Sequence, residues 1–352
     1  MRKIDYFVIT LLLIITGCKQ KDTNLIEIGA ILPLTGYGAA DGQICKEGLD
    51  LAIKEINSQQ STYKFKAIYE DNKSSAKDGL MAFKKLRSNG VNYFVGFGGQ
   101  FLLSFIPETK NQNLILFANG APNREILSLS NRCFRIYPTA ELVTEKKISL
   151  LKEKEMKKVG VIYLQNETFS RYAKVFQEAF LQENGIISIM EGFDPDCRDF
   201  KNIINKIRED EVDCIYISGA GEGVGVFIHQ LFSNPQTEHI PVIGEMSLAT
   251  STNIDLIGEI KAPIYVVDNY MDSEFVNAYS ESYKRSPNAY AVYAYIIPHL
   301  LYYSFEHNNG DISPEINYDY IYKNKFQTAA GSLSFDTITR EPLLEMIINT
   351  IE

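Results

Sequence analysis

The sequence predicts an α/β fold of two doubly wound, three-layer lobes, each a mainly parallel sheet with helices on both faces. Three observations predict it. From Ile26 onward, short apolar runs alternate with segments of helical periodicity almost without interruption, the β-α-β order that implies parallel strands and right-handed crossovers. The alternation runs through two blocks of like grammar, divided near Pro138, with no residue-level repeat between them. The 352 residues, 45% hydrophobic and 22% charged, suffice for two cores of ordinary size.

The first eighteen residues stand apart from this pattern. Arg2 and Lys3 precede an apolar run, Tyr6 to Ile15, broken by Thr10 and ending in Ile15-Thr16-Gly17-Cys18. This reads as a secretory signal with a lipobox. Small residues before the cysteine admit a peptidase, and the thiol accepts a diacylglyceryl group. Residues 1–17 are therefore expected to be a signal peptide, Cys18 the lipidated first residue, and 18–24 a short polar tether. The other reading, an uncleaved membrane anchor, meets the difficulty that a spanning helix needs about 20 apolar residues. Two or three acyl chains, at roughly 0.8 kcal/mol per buried CH₂, hold a protein stably at a membrane. The protein is expected to be exported and lipid-anchored at the cell envelope. A formal net charge of -9 argues against nucleic acid as a partner.

In the first block, an apolar strand from Ile28 to Leu32 ends at Pro33 and passes through the turn Thr35-Gly36-Tyr37-Gly38 into a helix reaching Asn57. Cys45, Leu49, Ala52, Ile53 and Ile56 form its apolar face. The turn lies at the carboxyl end of a buried strand, where open α/β sheets bind ligands and helix N–H groups point outward. Strands follow at Lys64–Glu70, Val91–Phe97, Leu114–Ala118 and Cys133–Tyr137, with helices at Ala76–Ser88 and Leu102–Gln112.

The second block reads as helix Glu141–Lys154, strand Lys158–Leu164, helix Arg171–Glu183, strand Ile186–Glu191, helix Phe200–Arg208 and strand Asp213–Ser218. Helix Val224–Phe232, strand Ile240–Ile243, a loop through Thr252 and strand Ile264–Asp268 complete it. The tail carries helices Ser273–Lys284, Tyr290–Glu306 and Glu315–Lys323, then strands Ser332–Phe335 and Leu343–Ile348. These are too few strands for a third domain, so the tail helices are expected to cover the first block and the last strand to return to the second.

These residues carry a resemblance. Pro33, Leu34, Thr35, Gly36, Gly42, Gly48, Leu51, Ala52, Ile56 and Asn57 are similar to the opening of the leucine/isoleucine/valine-binding protein family, the type I periplasmic solute-binding proteins of ABC transporters. The likeness continues through Tyr69, Asp71, Tyr93 to Gly96, Phe134, Arg135 and Asn288 to Tyr295. It implies two lobes joined by three crossings, near Thr139, Asp268 and Glu341, with a small polar solute, amino-acid-like or amide-like, held between them. Lobe 1 is then 25–139 plus 269–340, and lobe 2 is 140–268 plus 341–352. It also implies a monomer without cofactor or catalytic activity, with an ABC permease as partner. The same fold serves amide sensors and receptor ectodomains, so a ligand-sensing module signalling through a partner protein is the alternative.

Carried over residue by residue, the resemblance implies a pocket that departs from the family. The turn and helix start place Tyr37 and Asp41 among the candidate ligand contacts. Gly98, Gly99 and Gln100 stand where the family offers a serine. Asn119, Gly120, Ala121 and Pro122 stand where it offers a small residue and a threonine, and proline has neither hydroxyl nor N–H. Phe169 falls at an aromatic cap, Ala220 replaces another aromatic, Glu245 or Met246 falls at the acid that takes the ammonium, and Tyr290 supplies an aromatic wall. Gly98 and Gly99 also suit a simple tight turn, Gln100 a helix cap, and Phe169 and Tyr290 core packing. With two hydroxyl positions lost, the cleft is expected to bind leucine, isoleucine or valine only weakly.

Enzyme signatures are missing from the sequence: no P-loop, HExxH or GxSxG occurs, and Gly219, Gly221, Gly223 and Gly225 are spaced by two. His229, His239, His299 and His307 are scattered, without metal-ligand spacing, and His229 and His299 read as structural. Cys45, Cys133 and Cys214 lie in apolar patterns that favour buried thiols; if any pair bridges, Cys197 with Cys214 is expected.

Overall fold

Apolar runs buried on both faces become the central strands of two parallel sheets, as the unbroken hydrophobicity of Ile28–Leu32 requires. The computed structural model describes residues 25–59, 62–122 and 124–352. The expected signal peptide, Cys18 and the tether lie outside the described residues. The first sheet contains β1 (Leu25–Leu32), β2 (Lys64–Asp71), β3 (Tyr93–Phe97), β4 (Ile115–Asn119) and β5 (Cys133–Ile136). Its order is β2-β1-β3-β4-β5, parallel throughout.

The second sheet contains β6 (Lys158–Leu164), β7 (Ile186–Phe193), β8 (Cys214–Ser218), β9 (Val242–Glu245) and β10 (Ile264–Asn269), all parallel. A small antiparallel sheet follows, of β11 (Phe326–Thr328), β12 (Gly331–Phe335) and β13 (Pro342–Leu344). The last strand, β14 (Met346–Ile351), returns antiparallel to β10, giving the order β14-β10-β9-β8-β6-β7.

Helices cover both faces of each large sheet. Ala39–Ser58 and Ala289–His307 bury one face of the first, and Ala76–Ser88 closes the other. The helix Ala289–His307 is apolar almost all round because it is enclosed, and Asn288 caps it by accepting from the Tyr290 and Ala291 N–H groups. It approaches the helix Ala39–Ser58 so closely that a Cβ on Gly48 would lie 2.1 Å from the Ala291 carbonyl oxygen. The second sheet is likewise packed on both faces.

Several elements differ from expectation for local reasons. The single helix read over Leu102–Gln112 is two short ones, Gly99–Leu102 and Ile106–Thr109, because Pro107 cannot donate to a preceding turn. The helix expected from Arg171 starts a turn earlier, at Glu167, where the Asn166 side chain accepts from the Phe169 N–H. The loop expected through Thr252 holds a 3₁₀ turn, Met246–Ala249, and a helix, Ser251–Ile257, capped by Thr250. The strand expected over Leu343–Ile348 is broken at Glu345, where the chain leaves the small sheet for the second large one.

Candidate functional site

The carboxyl ends of both parallel sheets meet across one cleft. Its walls come from the segments after β1, β3, β4 and β5 on one side and after β6, β9 and β10 on the other. The cleft has two adjoining chambers, of about 460 Å³ and about 440 Å³, which share Gly120, Pro122, Thr168, Tyr172 and Tyr290. Each is large enough for a small solute.

The first chamber is polar and charged. Tyr37, 75% exposed, stands at its rim with its ring 5.7 Å from that of Phe101, and its hydroxyl accepts from the Gln100 amide. The turn carrying Tyr37 is pinned by Asp71, whose Oδ1 accepts from the N–H groups of Leu34 (2.9 Å) and Thr35 (3.2 Å) and whose Oδ2 accepts from the Thr35 hydroxyl (2.6 Å). Burial pushes the Asp71 carboxyl up, but these bonds and one from Lys73 outweigh it and hold it below the ordinary value. Asp41, in the first turn of the helix Ala39–Ser58, lines the chamber half-buried, and burial raises its carboxyl. It has no hydrogen-bond or ion-pair partner among the described residues.

Arg124 and Arg171 line the same chamber from opposite sides. Arg124 Nε donates to Glu341 Oε1 (2.8 Å) and its Nη1 to Glu141 Oε1 (2.9 Å). Arg171 Nη2 lies 3.7 Å from that same Glu141 oxygen. Behind them, fully buried Arg135 donates to Glu341 Oε2 and, at 3.0 Å, to the Ala121 carbonyl.

The second chamber is mainly apolar and aromatic, with Tyr137, Phe169, Tyr172, Met246, Val267 and Tyr290 in its walls. Tyr290 stacks on Tyr137 at 6.0 Å and meets the Phe97 ring edge-on at 4.9 Å. Glu245 also lines it, but its charge is met from inside the protein. Its Oε1 accepts from Lys147 Nζ and from the Tyr216 hydroxyl (2.6 Å), while Lys147 also donates to that hydroxyl at 2.9 Å. Lys147 is wholly buried; desolvation pulls its ammonium down and Glu245 opposes this. Burial, then the neighbouring carboxylate, pushes the Tyr216 phenol up. Glu245 Oε2 is buried without a partner. Glu245 therefore brings no unmatched charge to the cleft, and the acids that line it without a cation among the described residues are Asp41 and Glu167.

Of the residues expected at the site, Tyr37, Asp41, Gln100 and Gly120 line the first chamber, Gly120, Phe169, Glu245 and Met246 the second, and Tyr290 both. Asn119, Ala121 and Ala220 line neither. Asn119 is buried at the end of β4, where its amide donates to the Tyr290 carbonyl at 2.9 Å and so positions that ring from behind. Ala121 is buried in the core of the first sheet. Sequence reasoning missed Arg124, Arg171, Tyr137, Tyr172 and Lys147. Lys147 alone left a signal, since it falls in phase with Val143, Leu150 and Leu151 on the buried face of the helix Ala140–Glu153.

Cys45, Cys133, Cys197 and Cys214 are all free thiols, so the pairing named for Cys197 with Cys214 does not form. Among the described residues no group of three or more His, Cys, Asp or Glu could hold a metal ion, and no helix is long and apolar enough to cross a membrane.

Residues 25–316 match the family model described as periplasmic binding protein. The chain is similar to the Leu/Ile/Val-binding protein BraC3 of Rhizobium johnstonii, 27% identical over 218 residues, 58% of this chain and 58% of that one. The match thus spans less than two thirds of that relative's length. Among solved structures it is similar to a branched-chain amino acid transporter substrate binding protein from Streptococcus pneumoniae in complex with isoleucine, with TM-score 0.71, 20% identity, and coverage of 93% of this chain and 96% of that one. It is also similar to a solute binding protein of an ABC transporter from Rhodopseudomonas palustris BisB5 in complex with 3,4-dihydroxybenzoic acid, with TM-score 0.74, 19% identity, and coverage of 94% and 93%. At these identities the two structures speak for the fold, which serves unlike solutes.

Proposed function

The chain belongs to the periplasmic binding protein family, and from that premise we propose that it is an extracytoplasmic solute-binding lipoprotein. It captures a small polar solute, amino-acid-like or amide-like, between two closing lobes and delivers it to an ABC permease. The observation that carries this reading is the single cleft whose two chambers draw their walls from the carboxyl ends of both sheets. A solute seated there touches both halves at once, so its binding favours closure. The lobes in this reading are residues 25–139 plus 269–340 and residues 140–268 plus 341–352. Cys18, acylated, tethers the protein as a monomer at the cell envelope.

A thermal-shift screen against amino acids, their amides and small carboxylic acids tests the binding. A solute at 100 times its dissociation constant adds about 2.7 kcal/mol of stability, enough for a clear upward shift. Failure of every member to shift the transition would overturn the reading. Mass spectrometry of the membrane-extracted protein tests the anchor: an acylated Cys18 is expected, and an intact segment 1–17 would refute it.

A further inference from the structure

We infer that the first chamber holds the carboxylate of its solute between Arg124 and Arg171, so that the ligand anion joins the two halves of the cleft. The inference rests on the solute-binding reading above and names the chemistry of that same cleft. Arg124 follows β4 of the first sheet, whereas Arg171 lies on the helix Glu167–Gln182, which packs against the second. Both line the chamber, with side chains 42% and 46% exposed.

The charges of this cluster do not balance. Among the described residues, the ion-pair partners of Arg124, Arg135 and Arg171 are Glu141 and Glu341, so three guanidinium groups face two carboxylates. Glu141 serves two arginines through one oxygen, and its other oxygen is buried without a partner. Arg171 is the less satisfied of the two: 3.7 Å from Glu141 is a charge contact and not a hydrogen bond, and no other partner for it exists among the described residues. Arg124 spends Nε and one Nη1 hydrogen on its carboxylates, which leaves Nη2 and the second Nη1 hydrogen as donors. A planar carboxylate matches such a pair of forks, and it would offset the excess positive charge of this three-arginine cluster.

The opposite polarity is present as well. Asp41 lines the chamber without a partner, and exposed Glu167 faces it at the start of its helix. A dianion would meet these two acids unfavourably. The solute class that suits the whole chamber is a monocarboxylate that also carries a hydrogen-bond donor, an ammonium or a hydroxyl, for Asp41 to accept.

Titration calorimetry on the chain as the cell makes it, extracted in detergent, tests this with matched acid and amide pairs that keep the donor group: leucine with leucinamide, 4-hydroxybenzoate with 4-hydroxybenzamide, and lactate with lactamide. In at least one pair the acid should bind tenfold or more tighter than its amide. Arg171→Gln should bring that ratio to within about threefold, and Arg171→Lys, which keeps the charge but loses the fork, should retain part of it. A merely structural arginine would weaken acid and amide alike and leave the ratio unchanged, which would overturn the inference. Amides that bind as tightly as their acids in every pair that binds would overturn it too, while leaving the solute-binding reading intact. Silence from every member of every pair would overturn both.

Discussion

Replacing Lys147 by methionine isolates the ion pair that this wholly buried lysine makes with Glu245 beneath the cleft. In the native protein Lys147 Nζ is enclosed by Glu245, by the Tyr216 hydroxyl at 2.9 Å and by the Tyr216 ring, whose centroid is 4.0 Å away. Methionine fills a similar volume but strands a carboxylate in a wall where Oε2 already lacks a partner. Breaking a buried pair from one side typically costs about 3 to 5 kcal/mol. The stranded carboxyl can escape by taking up a proton, which at pH 7 costs a carboxyl of ordinary glutamate acidity about 3.7 kcal/mol and at pH 5 about 1 kcal/mol. The expected loss is therefore about 3 to 4 kcal/mol at pH 7, shrinking toward about 1 kcal/mol at pH 5, because a raised folded-state pKa favours the fold at low pH and penalises it as pH rises. Adding Glu245→Gln to the variant removes the stranded charge, and the double variant should recover at least about 1.5 kcal/mol. Urea unfolding followed by circular dichroism measures all three, since the chain has no tryptophan to report by fluorescence. A loss below about 1 kcal/mol for Lys147→Met, or one indifferent to both pH and the second substitution, would refute the pairing argument.

Gly48→Ala should destabilise the chain by more than about 2 kcal/mol, measured in the same way, because its Cβ would lie 2.1 Å from a backbone oxygen that cannot turn aside. Burial pushes the His299 imidazole down to about 4, in a pocket also lined by Asp272, Tyr295 and Tyr303. With its folded pKa depressed below the ordinary value of about 6.5, His299 contributes stability that is intact above that pH and falls by up to about 3 kcal/mol as pH drops toward 4. His299→Leu should flatten this slope by one proton in denaturation curves measured between pH 6.5 and 4. With Cys18 acylated as proposed above, native protein should react with one equivalent of a disulfide reagent, at half-buried Cys197, and with four after unfolding, when Cys45, Cys133 and Cys214 are also freed. Burial raises the other three thiols, Cys45 and Cys133 to about 12 and Cys214 further, so rapid labelling of any of them in the native state would contradict the packing.

Much of this architecture is local in origin, and therefore legible in the chain. The face Cys45, Leu49, Ala52 and Ile56 shows the helix and what it covers, because side-chain direction repeats with the backbone. Helix Ala76–Ser88 keeps its expected bounds because the Ser75 side chain caps it from one residue away. Strand Lys158–Leu164 keeps its own because its apolar run is bounded by polar residues. The same locality marks Tyr37, Gln100 and Glu245 as residues of strand-end turns, and all three line the cleft.

Which groups meet in that cleft is a different kind of fact. Arg124 reaches Glu341 across 217 positions and Lys147 reaches Glu245 across 98, and no period in the sequence encodes such pairs. The expectation of weak leucine binding counted hydroxyls lost at Gln100 and Pro122, without Arg124 and Arg171, which line the same chamber. Asn119 resembled a ligand contact because it ends a strand, but closure of the sheet against the helix Ala289–His307 turns its amide to the Tyr290 carbonyl. Sequence alone determined the strands, the helical faces and the cleft-forming turns, because these depend on neighbours within one turn or one strand. Tertiary structure decided where charge is spent and where it is left over, because that depends on the few ångströms between segments the chain brings together only once.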